Sequence, residues 1–231
     1  MKIKEMFVWQ FRNIYRSFLT FYGIYLLINL IGIGANMASD GEINMGSAIF
    51  SSMVYLFVIG IVAFREHLLF ALGSGVSRKT FFVSFLMLAA ALCLFSALVN
   101  EGMDWAFARV LPNSVEWLET FNRPSIGKYV LSIALSFGLI LSGFFIGGAY
   151  YRMNKLAKTA VSITVPVLLF MGIPLLVTCL PKNVQTALAY AVGNFFSWLF
   201  LSVYNAALVA CGLIAVMLLL SWLLIRRAPS K

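Results

Sequence analysis

The residue types that most often carry out chemistry are sparse in this chain. The only histidine, His67, follows Glu66, so one imidazole and one carboxylate stand side by side. A catalytic metal needs about three protein ligands, and the apolar segments hold no second histidine or carboxylate to join the pair. The sequence therefore predicts no catalytic residue and no metal site.

The cysteines and glycines lack catalytic patterns as well. Cys93, Cys179 and Cys211 each lie inside an apolar run without a CxxC pair or a nearby histidine, which is typical of small buried hydrophobic residues. No segment carries the GxxxxGK(S/T) loop that cradles nucleotide phosphates. We expect no cofactor in this chain, so ATP would have to be bound by a partner subunit.

The composition explains why such groups are scarce. Of 231 residues, 62% are hydrophobic and 11% are charged, about half the charged fraction of a soluble domain, which is typical of integral membrane proteins. The net charge of +9 comes from Lys and Arg at the ends of apolar runs rather than in one block. This distribution argues against a nucleic-acid partner and favours a lipid bilayer.

Six uncharged apolar runs have the length of a membrane-spanning helix. Such a helix needs about 20 residues to cross about 30 Å of hydrocarbon, and one charge near the bilayer centre costs on the order of 3 kcal/mol. We predict spans at residues 18–37, 46–64, 81–99, 129–150, 159–180 and 203–225. The expected fold is an all-α integral membrane protein with a single domain, residues 1–231.

Three further segments complete the predicted layout. Residues 1–17 place apolar side chains at helical spacing opposite basic ones, which indicates an amphipathic interfacial helix that is retained, because no cleavage site follows. Residues 100–128 form an outer loop. Residues 183–225 carry no charge, and this stretch is longer than one span requires. We therefore predict a re-entrant segment at 184–200 before span six. A single long tilted helix is the alternative.

The distribution of basic residues predicts the orientation. With six spans and a cytoplasmic amino terminus, four of the 17 lysines and arginines face outward and thirteen face the cytoplasm; the four are Arg109, Arg123, Lys128 and Lys182. The positive-inside rule counts these basic residues. We therefore expect a multi-pass protein of the cell membrane with both termini in the cytoplasm.

Span four carries a face of small residues. Ser132, Ser136, Gly143 and Gly147 fall on one side of the helix, and the two glycines form a GxxxG pair. Small residues let helix backbones approach closely in membranes. This face is expected to pack against another helix of the same chain or of a second subunit.

Residues 65–80, between spans two and three, form the most patterned loop. Residues 66–72 can form a short amphipathic helix that ends in the Gly-Ser-Gly sequence at 73–75. Ser77 can then cap the next helix, whose first turn carries two basic residues. An ordered cytoplasmic loop of this length suggests a docking surface for another protein.

The stretch from Phe70 to Phe82, FALGSGVSRKTFF, resembles the loop after the second span in small bacterial permeases of the type-2, exporter-like class of ABC transporters. That class has an amphipathic helix before span one, six spans, a coupling helix between spans two and three, and a re-entrant segment before span six. All four features have candidates here. The outer loop is larger than that of a minimal member of the class, so the resemblance does not specify the cargo-facing side.

The resemblance implies roles for the loop residues. The helix from Glu66 to Leu72 would contact a separate ATP-binding cassette subunit, and the residues after it would set the turn into span three. The implied ATPase-coupling residues are Glu66, Leu69, Leu72, Gly73, Gly75, Val76, Ser77, Arg78 and Lys79.

The resemblance also implies a function. The chain would be the permease subunit of an exporter for a peptide, lipid-like or other amphipathic compound, paired with a second permease subunit in a homodimer or heterodimer. The alternative is a membrane immunity or sensor subunit that binds a peptide at its outer face without transporting it. An intramembrane enzyme is a third class, but the chain lacks residues to support it.

Overall fold

The computed structural model describes residues 3–38, 48–110 and 126–226, and the regular structure in these ranges is helical. The helices are α1 (Ile3–Ala38), α2 (Ala48–Gly73), α3 (Arg78–Val110), α4 (Ile126–Arg152), α5 (Lys155–Val167), α6 (Ile173–Cys179), α7 (Lys182–Leu201) and α8 (Val203–Arg226). A π-helical turn, Leu168–Gly172, joins α5 to α6. Residues 111–125 of the predicted outer loop lie outside the described ranges.

Six segments in these ranges are long and apolar enough to cross a membrane. They are Ile3–Gly32, Phe50–Gly73, Arg78–Met103, Tyr129–Arg152, Lys155–Cys179 and Val203–Arg226. They follow the order of the six predicted spans. The prediction of an all-α, six-span membrane protein is therefore confirmed.

Helix α4 is the centre of the bundle and contacts α2, α3 and α8. Its Phe144 is fully buried, stacks on Phe85 of α3 with ring centroids 4.0 Å apart, and meets Phe64 of α2 edge-on at 4.9 Å. Aromatic pairs of this kind each contribute about 0.5–1.5 kcal/mol beyond the area that they bury. The aromatic core thus fixes the spacing of α2, α3 and α4.

Helix α1 runs without a break through the boundary predicted at residue 17. Its buried side chains recur every fourth residue from Met6 through Ile14 and Phe18 to Tyr22, and α1 packs mainly on α3. The predicted amphipathic helix and span one are therefore one helix, because a single buried stripe continues through both. Helix α3 likewise continues past residue 99 to Val110, into part of the predicted outer loop.

Residues 184–200, predicted as a re-entrant segment before span six, lie within a single helix. Lys182–Leu201 is one helix of 20 residues with no reversal, about 30 Å long at 1.5 Å per residue. The chain leaves helical geometry at Ser202, whose φ is −147° and ψ is 138°. Asn205 of α8 donates a 2.9 Å hydrogen bond to the Trp198 carbonyl across this break. The break also excludes the single long helix considered for residues 183–225.

Span five lies apart from the aromatic core. Helix α5 has no buried residue, and apolar side chains such as Leu156, at 86% exposed, face outward. Pro166 lies inside α5 and Pro174 at the start of α6, on either side of the π-helical turn. Because each proline lacks a backbone donor, the helical hydrogen-bond pattern changes between them.

Candidate functional site

The connection between α2 and α3 is a tight turn held by backbone hydrogen bonds. The Val76 amide donates to the Ala71 carbonyl at 2.9 Å, and the Gly75 amide donates to the Leu72 carbonyl at 3.2 Å. Gly75 has a φ of +70°, the left-handed conformation that glycine adopts at low cost. Val76 and Ala71 are both buried, which completes a Schellman motif with its apolar contact.

The start of α3 is capped by its own sequence. Ser77 Oγ accepts a 3.2 Å hydrogen bond from the Thr80 amide and lies 2.8 Å from the Thr80 hydroxyl oxygen. A serine N-cap of this kind contributes about 0.5–2 kcal/mol. The predicted cap is therefore present. The chain between α2 and α3 has a Schellman motif at one end and a serine cap at the other.

Residues 66–72 belong to α2 rather than to a separate coupling helix. Because no glycine or proline interrupts the chain between Gly60 and Gly73, span two continues as one helix to Gly73. The predicted cytoplasmic loop of residues 65–80 is thus reduced to Ser74–Ser77, with helix on both sides. Spans two and three therefore continue directly into the two ends of this turn.

The end of α2 has one exposed face and one buried face. Glu66 and Gly73 are exposed, and Leu69 and Phe70 between them remain 42% and 38% exposed. On the opposite face Leu68 and Ala71 belong to the core. The exposed face combines a carboxylate with apolar groups, a composition suited to contact with another protein.

The turn is connected to α1. Phe70 stacks on Trp9 with ring centroids 3.7 Å apart and an interplanar angle of 4°. The fully buried His67 is hydrogen-bonded through Nε2 to Asn13 Nδ2 at 3.3 Å and meets Trp9 edge-on at 5.2 Å. His67 therefore has a packing role between α1 and α2.

The turn is also connected to α8. Arg78 Nη1 donates a 2.9 Å hydrogen bond to the Arg226 carbonyl in the last turn of α8. Ser84 Oγ, two turns further along α3, donates a 3.2 Å hydrogen bond to the Ile3 carbonyl. The start of α1, the end of α2, the start of α3 and the end of α8 thus meet at one end of the bundle.

The predicted coupling residues occupy different environments at this end. Exposed positions are Glu66, Leu69, Gly73, Gly75, Ser77 and Lys79, while Leu72 and Arg78 are half-buried and Val76 is buried. Val76 and Arg78 therefore hold the turn in place, and most of the other predicted positions are exposed.

The small-residue face of α4 lies against α2 of the same chain. A Cβ atom at Gly143 would overlap the Phe57 carbonyl, and one at Gly147 would lie 2.7 Å from the Ile61 carbonyl oxygen. Gly60 of α2 makes the reciprocal approach to Ile140. Gly60 has no GxxxG partner in α2, so its role was not recognisable from the sequence. Ser132 and Ser136 are buried in the described structure.

A buried polar network in the other half of the bundle was not predicted. The Tyr22 hydroxyl lies 2.7 Å from Ser96 Oγ, and Asn100 Nδ2 donates a 2.7 Å hydrogen bond to Ser52 Oγ. The Tyr22 hydroxyl also donates to Asn100 Oδ1 at 3.4 Å. These bonds join α1, α2 and α3. A serine and an asparagine one turn apart on α3 were the only sequence signal.

The arrangement joins the ends of four helices beside one exposed turn. Its polar groups hold helices together and define an exposed turn, and the described residues bring no group of three metal-ligating side chains together. Comparison of the chain with protein-family models, with curated proteins and with solved structures finds no match, so the site is interpreted from its geometry alone.

Proposed function

We propose that the protein is the membrane-spanning permease subunit of an ATP-driven ABC transporter. Its cargo would be a peptide, a lipid-like molecule or another amphipathic compound that is exported, and ATP would be hydrolysed by a separate subunit. The observation that supports this function best is the ordered α2–α3 turn, which presents an exposed face and is bonded to α1 and α8. A partner that moves this turn would move four helices together.

The continuity of α2 supports a mechanism for coupling. Helix α2 has 26 residues, about 39 Å at 1.5 Å per residue, and it reaches from the turn to the close contact with α4. Closure of ATP-binding subunits against Glu66 and Leu69 would therefore displace span two relative to α4. Such a displacement would open a path for cargo on one side of the membrane and close it on the other.

The proposed assembly contains a second permease subunit. Span five and α7 leave large apolar side chains exposed, including Phe170 at 81% and Tyr190 at 73%. These surfaces suit either lipid or a second copy. In the proposed orientation the turn and both termini face the cytoplasm of the cell that contains the protein.

Purification in mild detergent followed by mass-spectrometric identification of partners tests this function. The full chain should retain an ATP-binding cassette subunit, and the pair Glu66→Lys and Leu69→Asp should reduce that retention and the ATPase turnover at least tenfold. A central interface residue typically contributes more than about 1 kcal/mol. Asn154→Asp, at an exposed position before α5 whose side chain makes no capping bond, is the control and should leave both unchanged.

If no ATPase is retained and the pair of substitutions leaves the cellular phenotype intact, the permease function is wrong. The membrane immunity or sensor subunit would then be the better interpretation, with peptide binding at the other side of the membrane as its readout.

A further inference from the structure

A cavity of about 680 Å³ lies between α2, α4 and α5 at the end of the bundle that carries the α2–α3 turn. Helix α2 contributes Phe57, Ile61 and Arg65, α5 contributes Lys158, and α4 contributes the rest: Ile146, Gly147, Tyr150 and Tyr151. None of the residues lining this described cavity is acidic. Its lining does not include Glu66 or Leu69, the exposed positions of α2 proposed to contact an ATP-binding subunit.

The lining changes from apolar to cationic along α2. Phe57, Ile61 and Arg65 recur every fourth residue, so they face the cavity along one side of the helix over about 12 Å. Phe57 and Ile61 lie towards the membrane interior, and Arg65 lies two turns before the end of the helix. The cavity therefore offers apolar walls at one level and positive charge at the membrane boundary.

Helix α5 brings the second cation to the same place. Lys158 is in the first turn of α5, and one turn later Ser162 lies 2.9 Å from the Tyr150 hydroxyl of α4. Helix α5 has no buried residue, and this contact joins it to α4 one turn after Lys158. It positions Lys158 beside the cavity that Arg65 lines.

We propose that this cavity binds an anionic phospholipid from the adjacent leaflet. The phosphate would lie between Arg65 and Lys158, and an acyl chain would lie along Phe57, Ile61 and Ile146. Basic pockets between membrane helices suit anionic headgroups because each cation near the surface contributes about 1 kcal/mol of attraction. The inference rests on the membrane-spanning fold and does not depend on the transport function.

Native mass spectrometry of the full chain with phosphatidylglycerol tests the site. The double variant Arg65→Gln/Lys158→Gln should weaken phosphatidylglycerol binding roughly 25-fold, about fivefold for each cation at about 1 kcal/mol. The control Lys79→Gln/Lys155→Gln removes the same charge from exposed positions outside the lining and should change binding less than twofold. Both pairs replace exposed side chains, so size-exclusion profiles should stay the same.

A third variant separates a lipid from a soluble anion. Ile146→Trp fills the apolar part of the cavity and leaves both cations in place, so it should weaken phosphatidylglycerol binding. Glycerol 1-phosphate, which carries the phosphate without the acyl chains, should fail to displace the lipid at tenfold excess.

Three results would overturn the proposal. Equal binding by the double variant and its control would show that the two cations are not the site. Equal binding of phosphatidylcholine would indicate nonspecific annular lipid. Displacement of phosphatidylglycerol by glycerol 1-phosphate, with no effect of Ile146→Trp, would assign the cavity to a soluble phosphate.

Discussion

The guanidinium of Arg78 donates a 2.9 Å hydrogen bond to the backbone carbonyl of Arg226, a residue 148 positions later in the chain. The last four carbonyls of a helix have no partner within the helix, and a cation at this end is also favoured by the helix dipole. The bond therefore stabilises the end of α8 and attaches it to the first residue of α3. The last span is thus held at the turn that connects spans two and three.

Replacement of Arg78 should loosen the end of α8. With Arg78→Gln, amide hydrogen exchange in the last turn of α8 should accelerate about two- to fivefold, which corresponds to the loss of about 0.3–1 kcal/mol of local stability. Lys79→Gln removes the neighbouring charge, which is exposed and makes no such bond, and should leave exchange unchanged. If amide exchange accelerated equally in both variants, the effect would come from the net charge and not from this hydrogen bond.

The two glycines at the turn should respond in opposite ways to alanine. Gly75 has a φ of +70°, where an L-residue costs roughly 1–2 kcal/mol, so Gly75→Ala should lower the thermal unfolding midpoint in detergent. Gly73 ends α2, and an added Cβ there meets no atom within 4 Å. Gly73→Ala should therefore leave the midpoint unchanged or raise it, since alanine is favoured over glycine in helices by about 0.5–1 kcal/mol.

Asparagine gives a second check at the same turn. Because Asn tolerates left-handed backbone better than Ala, Gly75→Asn should recover part of the midpoint lost in Gly75→Ala. A Gly75→Ala variant as stable as the original protein would contradict the Schellman geometry.

The contact between α2 and α4 should tolerate no added methyl group. In Gly143→Ala the new Cβ would overlap the Phe57 carbonyl, so the helices must separate, at a cost of about 1–3 kcal/mol typical of overpacking. Gly138→Ala on the same helix is the control, because its Cβ would lie 3.6 Å from Ile214 Cγ1, an ordinary contact. Thermal unfolding in detergent should rank Gly143→Ala well below Gly138→Ala, and the reverse order would refute this packing.

The hydrogen bond between Asn100 and Ser52 should be measurable as a coupling energy. A double-mutant cycle with Asn100→Ala and Ser52→Ala should give about 0.6 kcal/mol, the average for polar pairs between membrane helices. A second cycle that combines Asn154→Ala with Ser52→Ala is the control and should give no coupling energy, because Asn154 makes no side-chain capping bond at the start of α5. Strict additivity of the two substitutions would indicate that the bond contributes nothing to stability.

The properties predictable from the sequence are those set by neighbouring residues. The absence of charge from six long runs indicates the spans, because the membrane penalises each charge independently of the fold. Ser77 is recognisable as a cap because its partner Thr80 is three residues away. The stop of α2 is recognisable from the glycines at 73 and 75.

The features that escaped prediction depend on which helices are neighbours. Gly60 matters because α4 lies beside it, and Asn100 because Ser52 of α2 and Tyr22 of α1 face it. No local pattern specifies those partners. The break at Ser202 agrees with the boundary predicted between residues 184–200 and span six at 203–225, although the sequence around it contains neither glycine nor proline. That boundary was recognisable because the uncharged stretch is longer than one span requires.

The side of the membrane on which the turn lies decides whether an ATP-binding subunit can reach it. In a variant whose three native cysteines are replaced by alanine, a single Ser77→Cys should resist a membrane-impermeant maleimide in intact cells and react after lysis. Asn183→Cys, exposed at the start of α7, is the control and should react in intact cells, because span five separates it from the basic end. The expected orientation follows from the basic residues near the turn, since positive charge is retained on the cytoplasmic side. Labelling of Ser77→Cys in intact cells would place the turn outside and exclude coupling to a cytoplasmic ATPase, while leaving the lipid cavity open to separate test.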